Sequence, residues 1–135
     1  MNYQQLNTLS NLLKGNPNIG HLKNVTKIKL LKYLKQVNSE VEILTSAQKE
    51  IFMLYGVKEE NGTYDSTKLK ETDLDAWNKM KKDWDELMTT EIDIPTVAID
   101  EEEFFVFCAD KKIGENTYCL NLDEIFLLSK YLKYE

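Results

Sequence analysis

Arginine is absent from the 135 residues; histidine occurs once, cysteine and proline twice each, and glycine five times. Each scarcity removes a class of chemistry. Without guanidinium groups there is no rigid fork for bidentate contact with phosphate or guanine, so a nucleic-acid partner is not expected. His21 alone does not establish a catalytic triad, and no Gly-x-Ser-x-Gly elbow or similar nucleophile accompanies it. Two cysteines do not make a disulfide scaffold, so the expected setting is reducing and cytoplasmic. No phosphate loop, dinucleotide fingerprint or zincin motif is present, so neither cofactor nor metal is expected. No uncharged run approaches the roughly 20 apolar residues of a membrane span. Met1 to Leu6 lacks the basic-then-apolar pattern of a signal peptide.

What is present suits a packed domain. Apolar residues make up 42% of the chain and aromatic residues 10%, enough for one hydrophobic core. Leu6, Leu9, Leu12 and Leu13 are spaced for a short amphipathic helix from Tyr3, stopped by the turn Gly15-Asn16-Pro17-Asn18. From Val25 to Tyr55 there is neither Gly nor Pro. Leu30, Leu34, Val37, Val41, Leu44, Gln48, Ile51 and Tyr55 alternate spacings of four and three, a heptad stripe over nearly four repeats. Ile28, Leu31, Phe52 and Leu54 widen it, which predicts more than one neighbour. Gly56 suits the C-terminal cap. Asn61-Gly62 predicts a tight turn, and Tyr64 to Thr67 a short extended piece. Thr72 is placed as the N-cap of a third helix through Leu74, Trp77, Lys81, Trp84 and Met88, ending near Thr89.

Periodicity then falls to two. Ile92, Ile94, Val97 and Ile99 read as one strand broken by Pro95, or two short ones, and Phe104 to Ala109 as a compact strand. Lys111 to Asn116 is the expected turn, Thr117 to Leu120 the returning strand. Asn121 or Asp123 caps a last helix through Leu132, and Asn121 with Glu124 three residues on has the pattern of a capping box. The expected fold is α+β and mainly α. It is an antiparallel helical hairpin with a short N-terminal helix, a small β-hairpin module and a C-terminal helix. Residues 1–135 are read as one domain, with a helical part over 1–90 and the hairpin plus last helix over 91–135.

Charge is segregated. Residues 1–39 carry six Lys and no acid; residues 59–135 carry nine Lys against twenty Asp or Glu, a balance of -11. Either the basic helix lies against acidic segments of its own chain, or one end presents a phosphate-attracting face. A hairpin centred between Ile113 and Gly114 makes Cys108 face Cys119, as two small packed side chains, a disulfide or half of a metal site. Asp100-Glu101-Glu102-Glu103 lacks the order of a calcium loop and reads as a solvated acidic run or as a mimic of a nucleic-acid backbone. Trp77 and Trp84 share a helix face, as core or as an interface anchor.

The stretch from Leu22 to Ile99 resembles short, uncharacterised proteins encoded by tailed bacteriophages. The likeness is carried by the long helix from Asn24 to Gly56, the turn Lys58-Glu59-Glu60-Asn61-Gly62 with Tyr64, a shorter acidic helix, and Glu91-Ile92-Asp93-Ile94-Pro95. It implies a phage origin and carries no activity or site residue with it. The expected function is a non-enzymatic protein-binding module, an inhibitor of a host defence or replication protein. The expected surface is acidic: Asp100, Glu101, Glu102 and Glu103 with Asp83, Asp85 and Glu86. A particle-assembly accessory is one alternative. Another is an oligomer that sequesters a phosphate-bearing nucleotide on Lys23, Lys27, Lys29, Lys32 and Lys35. The broad stripe predicts a homo-oligomer, most simply a dimer, through Leu30, Leu34, Val37, Val41, Leu44 and Ile51.

Overall fold

The computed structural model describes residues 1–134. Its first helix, α1 (Tyr3–Lys14), opens on a capping box: Asn2 accepts from the Gln5 backbone, and the Gln5 side chain accepts from the Asn2 backbone. A single 3-10 turn at Ile19–His21 leads into α2 (Asn24–Leu54), 31 residues long. Ser10 of α1 meets Asn38 of α2, while Leu13 lies beside Leu30 and Leu34. Residue numbers therefore rise in opposite senses, and α1 is antiparallel to the first half of α2. The helix α4 (Leu74–Thr89) runs antiparallel along the second half, with Gln48 at Met88, Phe52 at Trp84 and Tyr55 at Asp83.

These two covering helices follow one another. Beyond the end of α4, Ile92 N–H donates to the Met1 carbonyl at 2.7 Å, and the Met1 ammonium reaches the Ile92 carbonyl at 3.2 Å and Glu91 at 3.3 Å. Helices of 12 and 16 residues placed end to end span about 42 Å, close to the roughly 46 Å of α2. The stripe expected to form a subunit interface is covered in part from within the chain. Leu30, Val37 and Leu44 are buried within one chain, and Leu34, Val41 and Ile51 are half-buried. The expectation counted α4 as the partner and left out α1, which covers what α4 is too short to reach.

At its C-terminus α2 closes as a Schellman motif. Gly56, at φ 74°, donates to the Met53 carbonyl, and Val57 to the Phe52 carbonyl. The strands β1 (Glu59–Glu60) and β2 (Thr63–Tyr64) follow as a hairpin. Asn61 and Gly62 both take positive φ there, as a type I′ turn requires. Of the expected extended piece over Tyr64 to Thr67, Tyr64 lies in β2, and Thr67 begins the short helix α3 (Thr67–Thr72). Thr72 ends it, so the cap of α4 is Asp73, which accepts from Ala76 N–H. Asp65 accepts from Thr67 N–H at the start of α3.

In the last third, β3 (Val97–Ile99) pairs in parallel with β6 (Leu132–Tyr134). Between them lie α5 (Glu101–Cys108), the hairpin β4 (Lys111–Ile113) and β5 (Asn116–Tyr118), and α6 (Leu122–Tyr131). The Asn121–Glu124 capping box of α6 forms as expected. The expected strand over Phe104 to Ala109 is instead α5. Lys111 pairs with Tyr118 and Ile113 with Asn116, so the ladder stops short of the cysteines and does not oppose Cys108 to Cys119. Both are free thiols.

Phe104-Phe105-Val106-Phe107 has strand propensity, yet α5 is clamped as a helix at both ends. Asp100 and Glu101 to Glu103 put negative charge at its N-terminus, where the helix dipole favours it. Glu103 is buried, and its Oε1 accepts from Lys23 N–H at 2.7 Å and Thr26 Oγ1 at 2.9 Å, capping α2 from outside. At the other end, buried Asn16 donates to the Phe107 carbonyl and buried Asn18 to the Ala109 carbonyl, both at 2.6 Å. Removing the Glu103 carboxylate leaves the buried Thr26 hydroxyl and the part-buried Lys23 N–H unpaired. Glu103→Ala is expected to cost about 2–3 kcal/mol in urea unfolding at neutral pH, and Glu103→Gln, which keeps one acceptor, less. A loss below about 0.5 kcal/mol in both variants would show that this clamp does not hold the fold.

Candidate functional site

The helical form of α5 decides what it shows to solvent. Residues 101, 102 and 105 share one side of a helix, and Glu101, Glu102 and Phe105 are all exposed, Phe105 at 57%. Phe104 and Phe107 point inward and are buried. Tyr134 of β6 stacks on Phe104 with ring centroids 4.6 Å apart, and lies 6.0 Å from the Phe105 ring. The outcome is an aromatic patch of Phe105 and Tyr134 with two carboxylates one turn from Phe105. Aromatic side chains are enriched among the anchors of protein–protein contacts.

The other expected acidic residues do not join this patch. Glu103 is consumed as the cap of α2 and is unavailable to a partner. Asp83 is half-buried at the far end of α2, where it accepts from the Tyr55 hydroxyl at 2.5 Å. That hydrogen bond holds the Tyr55 hydroxyl above its ordinary pKa. Thr26, which meets Glu103, and Tyr55, which meets Asp83, are separated along α2 by about 45 Å. The expected single acidic surface is thus two: Asp100, Glu101 and Glu102 at one end, Asp85 and Glu86 beside Asp83 at the other.

The five lysines of the phosphate alternative do not converge either. Lys27 and Lys29 sit about 200° apart around α2, and Lys29 Nζ donates to the Ala98 carbonyl at 3.3 Å. What the helix does present is a mixed row. Val25, Ile28 and Leu31 are 66%, 54% and 56% exposed, and the exposed Lys32 and Lys35 share their side of α2. Among the described residues the one ion pair is that of Met1 with Glu91, so the basic face is not neutralised by acidic segments of its own chain. Beside the row is a small apolar pocket of about 100 Å³ walled by Leu13, Ile19, Leu30, Leu31, Leu34 and Phe107, with Lys27 at its lining.

Other features are less productive. A space of about 280 Å³ between the β1–β2 hairpin and α3 is lined by Lys58 and Lys68 against Glu60 and Asp65, which cancel. Trp84 packs on Phe52 as expected, whereas Trp77 lies under Lys70 and Lys81 at 4.8 and 5.4 Å from its ring centroid. His21 is exposed with Nε2 3.1 Å from Lys111 Nζ. Burial pushes the Cys108 thiol up to about 11, away from the thiolate that reactivity needs. Among the described residues no three His, Cys, Asp or Glu side chains gather as metal ligands, and no helix is long and apolar enough to cross a membrane.

Comparison with protein-family models, curated proteins and solved structures returned no match. The site therefore rests on its own geometry. Phe105 and Tyr134 escaped the sequence reading because a strand over 104–109 puts Phe105 and Phe107 on one face, whereas a helix sends them apart. Four consecutive acids before an apolar run were the available signal, since acids cluster in the first turn of helices. The two phenylalanines should behave oppositely. Phe105→Ser is expected to change unfolding free energy by about 0.5 kcal/mol or less, and Phe107→Ala to cost about 3–5 kcal/mol. Equal costs in urea unfolding would refute the helical placement.

Proposed function

We propose that this chain is a non-catalytic protein-binding module, of the phage-encoded kind that its sequence resembles, and that it contacts its partner through the outer side of α5. The observation that carries this reading is the exposed Phe105, seated beside Tyr134 and flanked by Glu101 and Glu102. An aromatic anchor ringed by carboxylates fits a basic surface with an apolar notch. Host defence and replication proteins that grip nucleic acid carry basic surfaces. Occupying such a surface with carboxylates blocks phosphate contacts without any chemistry, which agrees with the scarcity of catalytic side chains in the sequence. Particle assembly is the second reading, favoured by the presence of an oppositely charged apolar row on α2 of the same chain.

The test is quantitative capture from host lysate with tagged wild-type chain, with Phe105→Ala, with Glu101→Lys/Glu102→Lys, and with Asp85→Lys/Glu86→Lys as the control at the other acidic end. A true partner is expected to fall at least about tenfold with the first two variants, equivalent to about 1.4 kcal/mol, and to persist with the control. A partner retained equally by all variants would exclude the α5 surface.

A further inference from the structure

The acidic-aromatic side of α5 and the basic-apolar row of α2 are opposite in charge and alike in apolar content. Glu101 and Glu102 flank Phe105, while Lys32 and Lys35 flank Ile28 and Leu31, and Lys27 lines the adjoining pocket. Neither set is neutralised within the chain, where Met1–Glu91 is the one ion pair among the described residues. The pocket, at about 100 Å³, is smaller than the roughly 150 Å³ apolar cavity that binds benzene, so it admits the edge of an aromatic ring, with the rest of the ring on the Ile28–Leu31 row. Phe105 cannot enter the pocket of its own chain. Phe107, two positions on and about 200° around α5, forms a wall of that pocket, so Phe105 points the other way.

From this juxtaposition we infer that the chain pairs with a second copy of itself, the Phe105 face of one copy docking on the Ile28–Leu31 row and pocket of the next. The inference rests on the reading of the α5 face as a contact surface and names its partner. Knob and socket are separate surfaces, so each copy offers both halves of the contact. The contact either repeats head to tail or closes reciprocally, each Phe105 entering the other copy's socket. Only a few side chains are engaged on each side, so the contact belongs with small, weak interfaces. Exposed charges contribute much of it, so it is sensitive to salt.

Light scattering on the purified full chain tests this at about 5 to 500 μM, in low salt and in about 0.5 M salt, where the screening length falls to a few Å. The expected mass rises with concentration to two chains or more at low salt and drops towards one chain at high salt. Phe105→Ala, Glu101→Lys/Glu102→Lys and Lys32→Glu/Lys35→Glu, each checked for native circular dichroism, are expected to stay at one chain. Mixing the two charge-reversed variants is expected to restore assembly, because each then offers the sign the other lacks. A wild-type mass of one chain throughout, assembly that persists unchanged in the three variants, or failure of the mixture to assemble overturns the inference. Should the wild type stay at one chain while capture of a foreign protein still depends on Phe105, self-pairing falls and the binding-module reading stands. If assembly occurs but capture does not depend on Phe105, the reverse holds.

Discussion

Everything distinctive about this chain follows from how α5 is held. Its two ends are tied to the connection between α1 and α2: Glu103 to Lys23 and Thr26, Asn16 and Asn18 to the last carbonyls. Each tie is a buried polar group whose partner would otherwise go unsatisfied, and such groups are costly to strand. The ties therefore fix both the conformation of α5 and its rotation about its own axis. With rotation fixed, Phe107 is committed to the core and Phe105 to solvent. The surface proposed to bind partners is a consequence of interior hydrogen bonds, and sequence changes inside the clamp would alter that surface without touching it.

A second constraint is the length of α2. A helix of about 46 Å with a broad apolar side needs cover along its whole length, and no other helix here is long enough. The solution is to lay α1 and α4 end to end and stitch them at Met1, Glu91 and Ile92. Because α1 and α4 come from distant parts of the sequence, the core along α2 is built from non-local contacts and closes only when both are in place. That closure hides the heptad stripe and leaves the opposite side of α2, with Val25, Ile28 and Leu31, as its free apolar surface.

Elements fixed by local chemistry were legible in the sequence. Leucine spacing marked α1, the unbroken heptads marked α2, Gly56 marked its end, Asn61-Gly62 the tight turn, and Asn121 with Glu124 the start of α6. What failed was decided at long range. The helical state of α5 depends on residues about 80 to 90 positions away, and the parallel pairing of Val97–Ile99 with Leu132–Tyr134 joins segments 35 apart. Of the candidate site, the charges were visible and their placement was not. Glu101 and Glu102 were rightly marked as acidic neighbours, but no periodicity announces that Glu103 turns inward while Phe105 turns out. Nor does a string of lysines reveal that Lys29 and Lys27 part company around the helix.

The electrostatics of α2 show why its basic face calls for an explanation beyond stability. The first turn of α2 contains no acid, its cap residue is Lys23, and that cap makes no side-chain hydrogen bond. Cations near a helix N-terminus oppose the dipole by about 0.3–1 kcal/mol each, and like charges three or four apart, as Lys29, Lys32 and Lys35 are, cost a few tenths more. Local helix rules would put Asp or Ser at the cap and Glu in the turn. The fold instead imports a carboxylate, Glu103, from α5 to do what the local sequence does not. A helix that carries unfavourable charge at its own start, and is rescued by a distant residue, breaks a local folding rule, and such breaks are expected at functional or strained positions. The same imported carboxylate sits at the start of α5, directly after Glu101 and Glu102. A single buried group thus joins the beginning of the basic helix to that of the acidic one, and the opposite signs of the two faces are built on one structural joint.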